Sequence, residues 1–252
     1  MAGHSKRHNI KHRKAAQDSK KSKIYARIAK QLEINAKWWA DPSMNPSLAT
    51  VLNTAKSAWL PKDVIEKAIR KWSGQLGWEE LQELYYEWYG PEGIAIYIKC
   101  ITSNTNRSAA SIRSILTKYA GNMWEVGSVA WQFEQKWVIY ITWKVKIEKI
   151  KGNDVETLEE LDNDLLEEDI METEVEDYDL SEDGARIVTE FEDFINVSKF
   201  FQENSYKIES AEIEFIAKNT LKPSQEGEEK LDRLIDTLED NEDVDSIFHN
   251  AE

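Results

Sequence analysis

The apolar residues switch from a helical period to an alternating one near Ser73-Gly74, and no other feature constrains the fold as tightly. Before the switch, Ile24, Ile28 and Leu32 recur at i, i+4 and i+8, with Ala29 and Ala36 beside them. That spacing makes one face of a helix beginning near Ser19. DPSMNPSLATVLNTAKSA reads as a turn and a second helix with Leu48, Val51, Leu52 and Ala55 on one face. Pro61 at a first helical position, with Asp63 and Glu66 in the opening turn, starts a third helix carrying Val64, Ile65, Ala68 and Ile69. Three helices with short connections predict a small bundle.

After the switch the period is two. YYEWYGPEGIAIYIKCIT holds two strand-like runs around the turn Gly-Pro-Glu-Gly. Residues 107–119 read as a helix with Ile112, Ile115 and Leu116 inward, and 128–143 as two strands joined by a tight Glu-Gln-Lys turn. A helix near 154–168, strands near 172–179 and 185–191, a helix at 192–204 and a strand at 207–216 complete a β-α-β-β-α-β order, the ferredoxin-like pattern. A last helix at 226–238 and a short strand at 244–249 have no sheet of their own. The expectation is an α+β multidomain chain: a basic helical domain at 1–77, a discontinuous α+β domain at 78–132 plus 219–252, and an acidic ferredoxin-like domain at 133–218 inserted into it.

The net charge of −15 hides a gradient. Residues 1–72 carry 16 Lys/Arg against 5 Asp/Glu, a balance of +11; residues 73–150 carry 8 against 8; residues 151–252 carry 8 against 34. Such a gradient points to a polyanion-binding end joined to an acidic end that takes solvent or a basic protein partner. No run approaches the roughly 18 apolar residues of a membrane span. The basic start lacks the apolar segment of a secretory signal. A single cysteine, Cys100, suits a reducing cytosol. A cytoplasmic protein is expected.

The cationic cluster is the strongest chemical signal. Lys6, Arg7, Lys11, Arg13, Lys14, Lys20, Lys21 and Lys23 lie close together, followed by Arg27 and Lys30, with only Asp18 and Glu33 as acids before residue 40. A solvated charged face would carry compensating acids, whereas lysines set against phosphates release condensed counterions and bind in a salt-dependent way. His4, His8 and His12 share one helical face among these lysines. Neighbouring positive charge disfavours a metal there, and His8 and His12 are expected to touch phosphate or base. Thr102-Ser103-Asn104-Thr105-Asn106-Arg107 joins a strand to a helix. Asn104 and Asn106 could cap the helix, or with Arg107 hold a phosphate at its N-terminus.

Catalysis has no candidate. Cys100 ends an alternating strand with no base nearby, His249 stands alone at the far end, and the carboxylates of 154–183 lack the apolar surroundings that would retune one of them. No metal or cofactor site is expected.

Ten Trp stand beside ten Gly, although Gly averages about 7% of residues. Trp38, Trp39, Trp59 and Trp72 sit at helix ends and Trp137 at the tight turn after Glu-Gln-Lys, where positive φ favours glycine. Two readings fit. The rings form an exposed platform that stacks on bases, or glycine codons were translated as tryptophan, since UGA specifies glycine in some bacterial lineages. Trp78, Trp88, Trp124 and Trp143 raise the same question.

The opening MAGHSKRHNIKHRKAAQDSKKSKIYARI, then ADPSMNPSL, LPKDVIEKAIRK, YGPEGIAIYI, TSNTNRSAASIRS, GSVAWQFEQK and LIDTLEDNEDVDSIFHNAE resemble the YebC family along the whole chain. That family carries the label of transcriptional regulation and includes a mitochondrial translational activator of a cytochrome oxidase subunit. Its pattern has glycine at Trp38, Trp39, Trp59, Trp72, Trp88, Trp124 and Trp137, and an aromatic at Trp131. The resemblance implies a helical domain followed by two α+β domains, the third inserted into the second, that bind DNA or RNA without catalysis. A DNA-binding transcriptional regulator, a translation factor on the ribosome binding ribosomal or transfer RNA, a protein-interaction scaffold and a nucleic-acid enzyme remain as alternatives, the last the weakest.

Overall fold

The computed structural model describes residues 21–37, 41–42, 44–72, 81–119, 122–123, 127–150, 153–181 and 184–252. The chain is α+β, with seven α-helices and two sheets among those residues. It divides into two compact units: the described residues up to Gln135 together with Phe215–Glu252, and Lys136–Glu214.

In the first unit, helices α1 (Lys21–Ala36), α2 (Pro46–Ser57) and α3 (Lys62–Trp72) bury Ile28, Leu32, Ala36, Leu48, Ala55, Leu60 and Ala68 against one another. Asn45 caps α2 by accepting from the Leu48 N–H at 3.1 Å, with Pro46 in the first turn where no N–H is needed. The far end of α2 closes as a Schellman motif. Leu60 N–H donates to Ala55 O at 2.9 Å and Trp59 N–H to Lys56 O at 3.0 Å, with buried Leu60 supplying the apolar contact. The left-handed residue of that motif is Trp59, at φ +58 and 85% exposed. Glycine fits this site without steric cost; a side chain does not.

Strands β1 (Gln82–Tyr89), β2 (Ala95–Thr102), β3 (Asn122–Met123) and β9 (Val244–His249) form an antiparallel sheet in the order β3-β1-β2-β9. Helices α4 (Thr105–Lys118) and α7 (Gln225–Glu239) cover one face through Ile112, Leu116, Leu231, Leu234, Ile235 and Leu238, against Trp88, Ile96, Ile98 and Cys100 of the strands. Trp88 is fully buried there and its Nε1 has no hydrogen-bond partner, which costs about 1–3 kcal/mol. Aromatic rings fill the other face: Tyr97 stacks between Tyr85 and Phe133, and the Phe215 ring meets Tyr97 edge-on at 4.7 Å.

The second unit holds the remaining strands and helices. Strand β4 (Phe133–Ile150) reaches into it and pairs with β5 (Asn153–Glu159), β7 (Gly184–Thr189) and β8 (Tyr206–Ala217), while β6 (Asp177–Ser181) pairs with β7. Helices α5 (Asn163–Met171) and α6 (Phe194–Glu203) place Leu166, Ile170, Phe194, Val197 and Phe201 on Ile139, Ile141, Ala185 and Ile187.

Two sequence expectations fail here. No turn interrupts 128–143: Glu134, Gln135 and Lys136 lie within β4, and Trp137 is a buried strand residue stacked on Phe194 at 3.9 Å. Those three residues include none of the Gly, Asn or Pro that a tight turn favours, and the strand runs on through them. The helix near 154–168 is also displaced. Residues 153–159 pair with 144–150 as a ribbon, and the helix starts only after Asp162, whose carboxylate accepts from the N–H groups of Asp164 and Leu165. Cross-strand pairing overrides weak local helical preference there.

Candidate nucleic-acid interface

Of the predicted cationic cluster, Lys6, Arg7, His8, Lys11, His12, Arg13, Lys14 and Lys20 lie outside the described residues, as do His4, Trp38, Trp39, Trp78 and Trp124. Lys21 opens α1. Lys23 is exposed on that helix, and its ammonium contacts Asp240 Oδ1 at 3.0 Å and the Asp240 carbonyl at 3.3 Å. Two turns along, Lys30 Nζ donates to Glu242 O at 2.7 Å and Ile101 O at 3.0 Å and lies 3.4 Å from Asp243 Oδ1. Gln31 donates to Asp245 Oδ1 at 2.9 Å. Part of the positive face of α1 is thereby turned onto the turn between α7 and β9.

The predicted 102–107 loop meets the same turn. Asn104 is the N-cap of α4, accepting from the Arg107 N–H at 3.0 Å, and Thr102 Oγ1 accepts from the Asn104 N–H. This is the capping role. Asn106 is exposed on the first turn of α4. Arg107 Nη2 donates to both carboxylate oxygens of Asp243, at 2.9 and 3.0 Å, so its guanidinium holds an anion supplied by the chain itself. Asp243 is only 6% exposed, while Arg107 remains 62% exposed. Asn241 fixes the turn from within, accepting from the Asp243 N–H and donating to Ser111 Oγ on α4.

A second carboxylate near the sheet serves only backbone. Glu87 on β1 accepts from the N–H groups of Gly127, Val129 and Ala130 at 2.7, 2.6 and 2.8 Å, tying down the loop before β4. Partial burial alone would push its pKa up; the three N–H donors outweigh that and hold it below the usual carboxylate value. Glu92, at φ +56 in the β1–β2 turn, reaches the Ser224 cap of α7 through both the backbone N–H and the hydroxyl. In the second unit, Arg186 and Glu214 form a buried pair at 3.2 Å that Tyr140 completes with its hydroxyl at 2.7 Å.

The sequence reading missed the partners Asp240, Asp243 and Asp245. Their signal lay in the alternation Asp243-Val244-Asp245 entering a strand, where polar and apolar residues trade faces. Burial pushes the Cys100 thiol up to about 12, which keeps it protonated and inert. Among the described residues, no group of three or more His, Cys, Asp or Glu is placed to hold a metal ion, and no helix is long and apolar enough to cross a membrane.

Family models match nearly the whole chain: the TACO1/YebC protein N-terminal domain over residues 5–75, and the TACO1/YebC second and third domain over residues 81–251. A "probable transcriptional regulatory protein" of Kosmotoga olearia is 42% identical, covering 100% of this chain and 94% of its own length. One of the same name from Thermosipho africanus is 41% identical over the same shares. The crystal structure of a conserved hypothetical protein from Aquifex aeolicus superposes with a TM-score of 0.83 at 28% identity, covering 94% of this chain and 93% of that one.

Proposed function

This chain belongs to the TACO1/YebC family, and we propose that it is a non-enzymatic, DNA-binding regulator of transcription acting in the cytoplasm. The observation that carries the reading is the +11 balance of residues 1–72, 16 Lys/Arg against 5 Asp/Glu. Lys6, Arg7, His8, Lys11, His12, Arg13, Lys14, Lys20 and Lys21 supply the phosphate contacts, and the counterions they release drive association. The name the relatives carry, probable transcriptional regulatory protein, supports the transcriptional part. The accompanying domain reading is a helical domain, then two α+β domains, one ferredoxin-like and inserted into the other. It draws support from the pairing of β9 with β2 and of β4 with both β7 and β8.

The test is a binding titration on a mixed-sequence DNA duplex, with ribosomal RNA in parallel, from low to high salt. Replacing Lys11, Arg13 and Lys14 together with Ala should weaken DNA binding and flatten the plot of log affinity against log salt by about 0.9 per lost contact. Equal slopes for the two proteins would remove those contacts from the account. Binding confined to ribosomal RNA, with cosedimentation on ribosomes, would replace the transcriptional reading with a translational one.

A further inference from the structure

The cations that a nucleic acid would want on α1 and α4 already hold carboxylates. Lys23, Lys30 and Arg107 come from two helices and converge on four residues of chain, 240–243. They find there what a phosphate backbone offers: closely spaced anionic oxygens, with the carbonyls of Ile101 and Glu242 around the Lys30 ammonium. The turn follows α7, whose C-terminal end carries partial negative charge and reinforces the attraction.

We propose that this acidic turn is a built-in competitor for nucleic acid, holding Lys23, Lys30 and Arg107 on its own carboxylates until a bound polyanion displaces it. The inference rests on the nucleic-acid reading above and adds regulation to it. The seam is graded. Asp240 is 59% exposed and its pair with Lys23 exchanges readily in water, because solvent screens exposed ion pairs. Asp243 is buried between Lys30 and Arg107, so releasing both leaves a buried carboxylate unpaired unless the turn moves to expose it. A polyanion therefore gains one cation easily and two more only with a change of conformation, and DNA held by the N-terminal segment loosens the contact of α1 with the sheet.

The experiment compares the full chain with D240N and with D240N/D243N on a mixed-sequence DNA duplex, affinity being measured across a salt series. D240N should steepen the salt slope by about 0.9, one freed cation. D240N/D243N should steepen it by roughly two to three times that and bind at least tenfold more tightly at low salt. D164N/E168Q makes the same change in net charge on exposed α5 and should leave the slope where it is. Were D240N/D243N to match the parent, or D164N/E168Q to reproduce its gain, the competitor would not exist. D240N alone decides the matter if the double variant melts, because Asp240 is exposed. A parent chain that ignores DNA at low salt would instead bring down the underlying nucleic-acid reading.

Discussion

Glu87 and Asp243 are both carboxylates beside the same sheet, yet they hold the molecule in different ways. Glu87 accepts from three backbone N–H groups, donors with no alternative ligand and no net charge to screen. Asp243 accepts from Arg107 and Lys30, side-chain cations whose charge would serve a phosphate equally well. One carboxylate is dedicated to the fold; the other is exchangeable. The contrast teaches that charge in this chain is divided between oxygens spent on backbone and oxygens spent on cations, and that only the second kind can answer to a polyanion.

The largest expected effect separates the two most sharply. D243A removes a buried carboxylate from Arg107 and Lys30 and should cost about 3 kcal/mol, read as a lowered denaturant midpoint. The loss should shrink when the parent and variant are compared in 1 M salt, where the Debye length is about 3 Å. A D243A chain as stable as the parent at low salt would dissolve the comparison.

E87Q should follow, costing about 2 kcal/mol at neutral pH, with no dependence on salt. Its pH signature has a definite sign. The carboxyl titrates lower in the folded chain than its ordinary value of 4.5. Its stabilisation is therefore complete above that value and fades as the pH falls through the depressed folded one. Between pH 7 and pH 3 the gap between parent and E87Q should narrow in thermal melts; a gap that widens on acidification would contradict the geometry.

A change without charge calibrates both. W59G relieves a side chain at φ +58 in the Schellman position of α2 and should stabilise by about 1 kcal/mol at every salt concentration. A melting temperature lowered by W59G would end the view that this site wants glycine, and with it one support for recoded codons. The smallest effect belongs to D240N, under about 1 kcal/mol at low salt and absent in 1 M salt.

Much of this fold was legible wherever one local rule acted alone. The apolar stripe Ile24, Ile28, Leu32 marked α1, the capping residues of 102–107 marked the approach to α4, and 244–249 read as the short strand that is β9. The reading failed where long-range pairing decided. Residues 153–159 become a strand because 144–150 lie beside them, and Trp137 is buried because α6 brings Phe194 to it. The site divides along the same line. The cationic run announced itself by composition, while the acids that hold Lys23, Lys30 and Arg107 stand more than 130 residues away in sequence, beyond any spacing rule.

The central claim, that clustered cations near the amino end meet phosphate, is tested most directly by one titration. The full chain and a variant with Lys6, Arg7, Lys11, Arg13 and Lys14 changed to Gln are bound to one DNA duplex over a salt series, with α-helix content checked for both. The account predicts a steep linear fall of log affinity for the parent and a slope shallower by about 4.5 for the variant, from five neutralised cations at roughly 0.9 each. Two superimposable lines would contradict it.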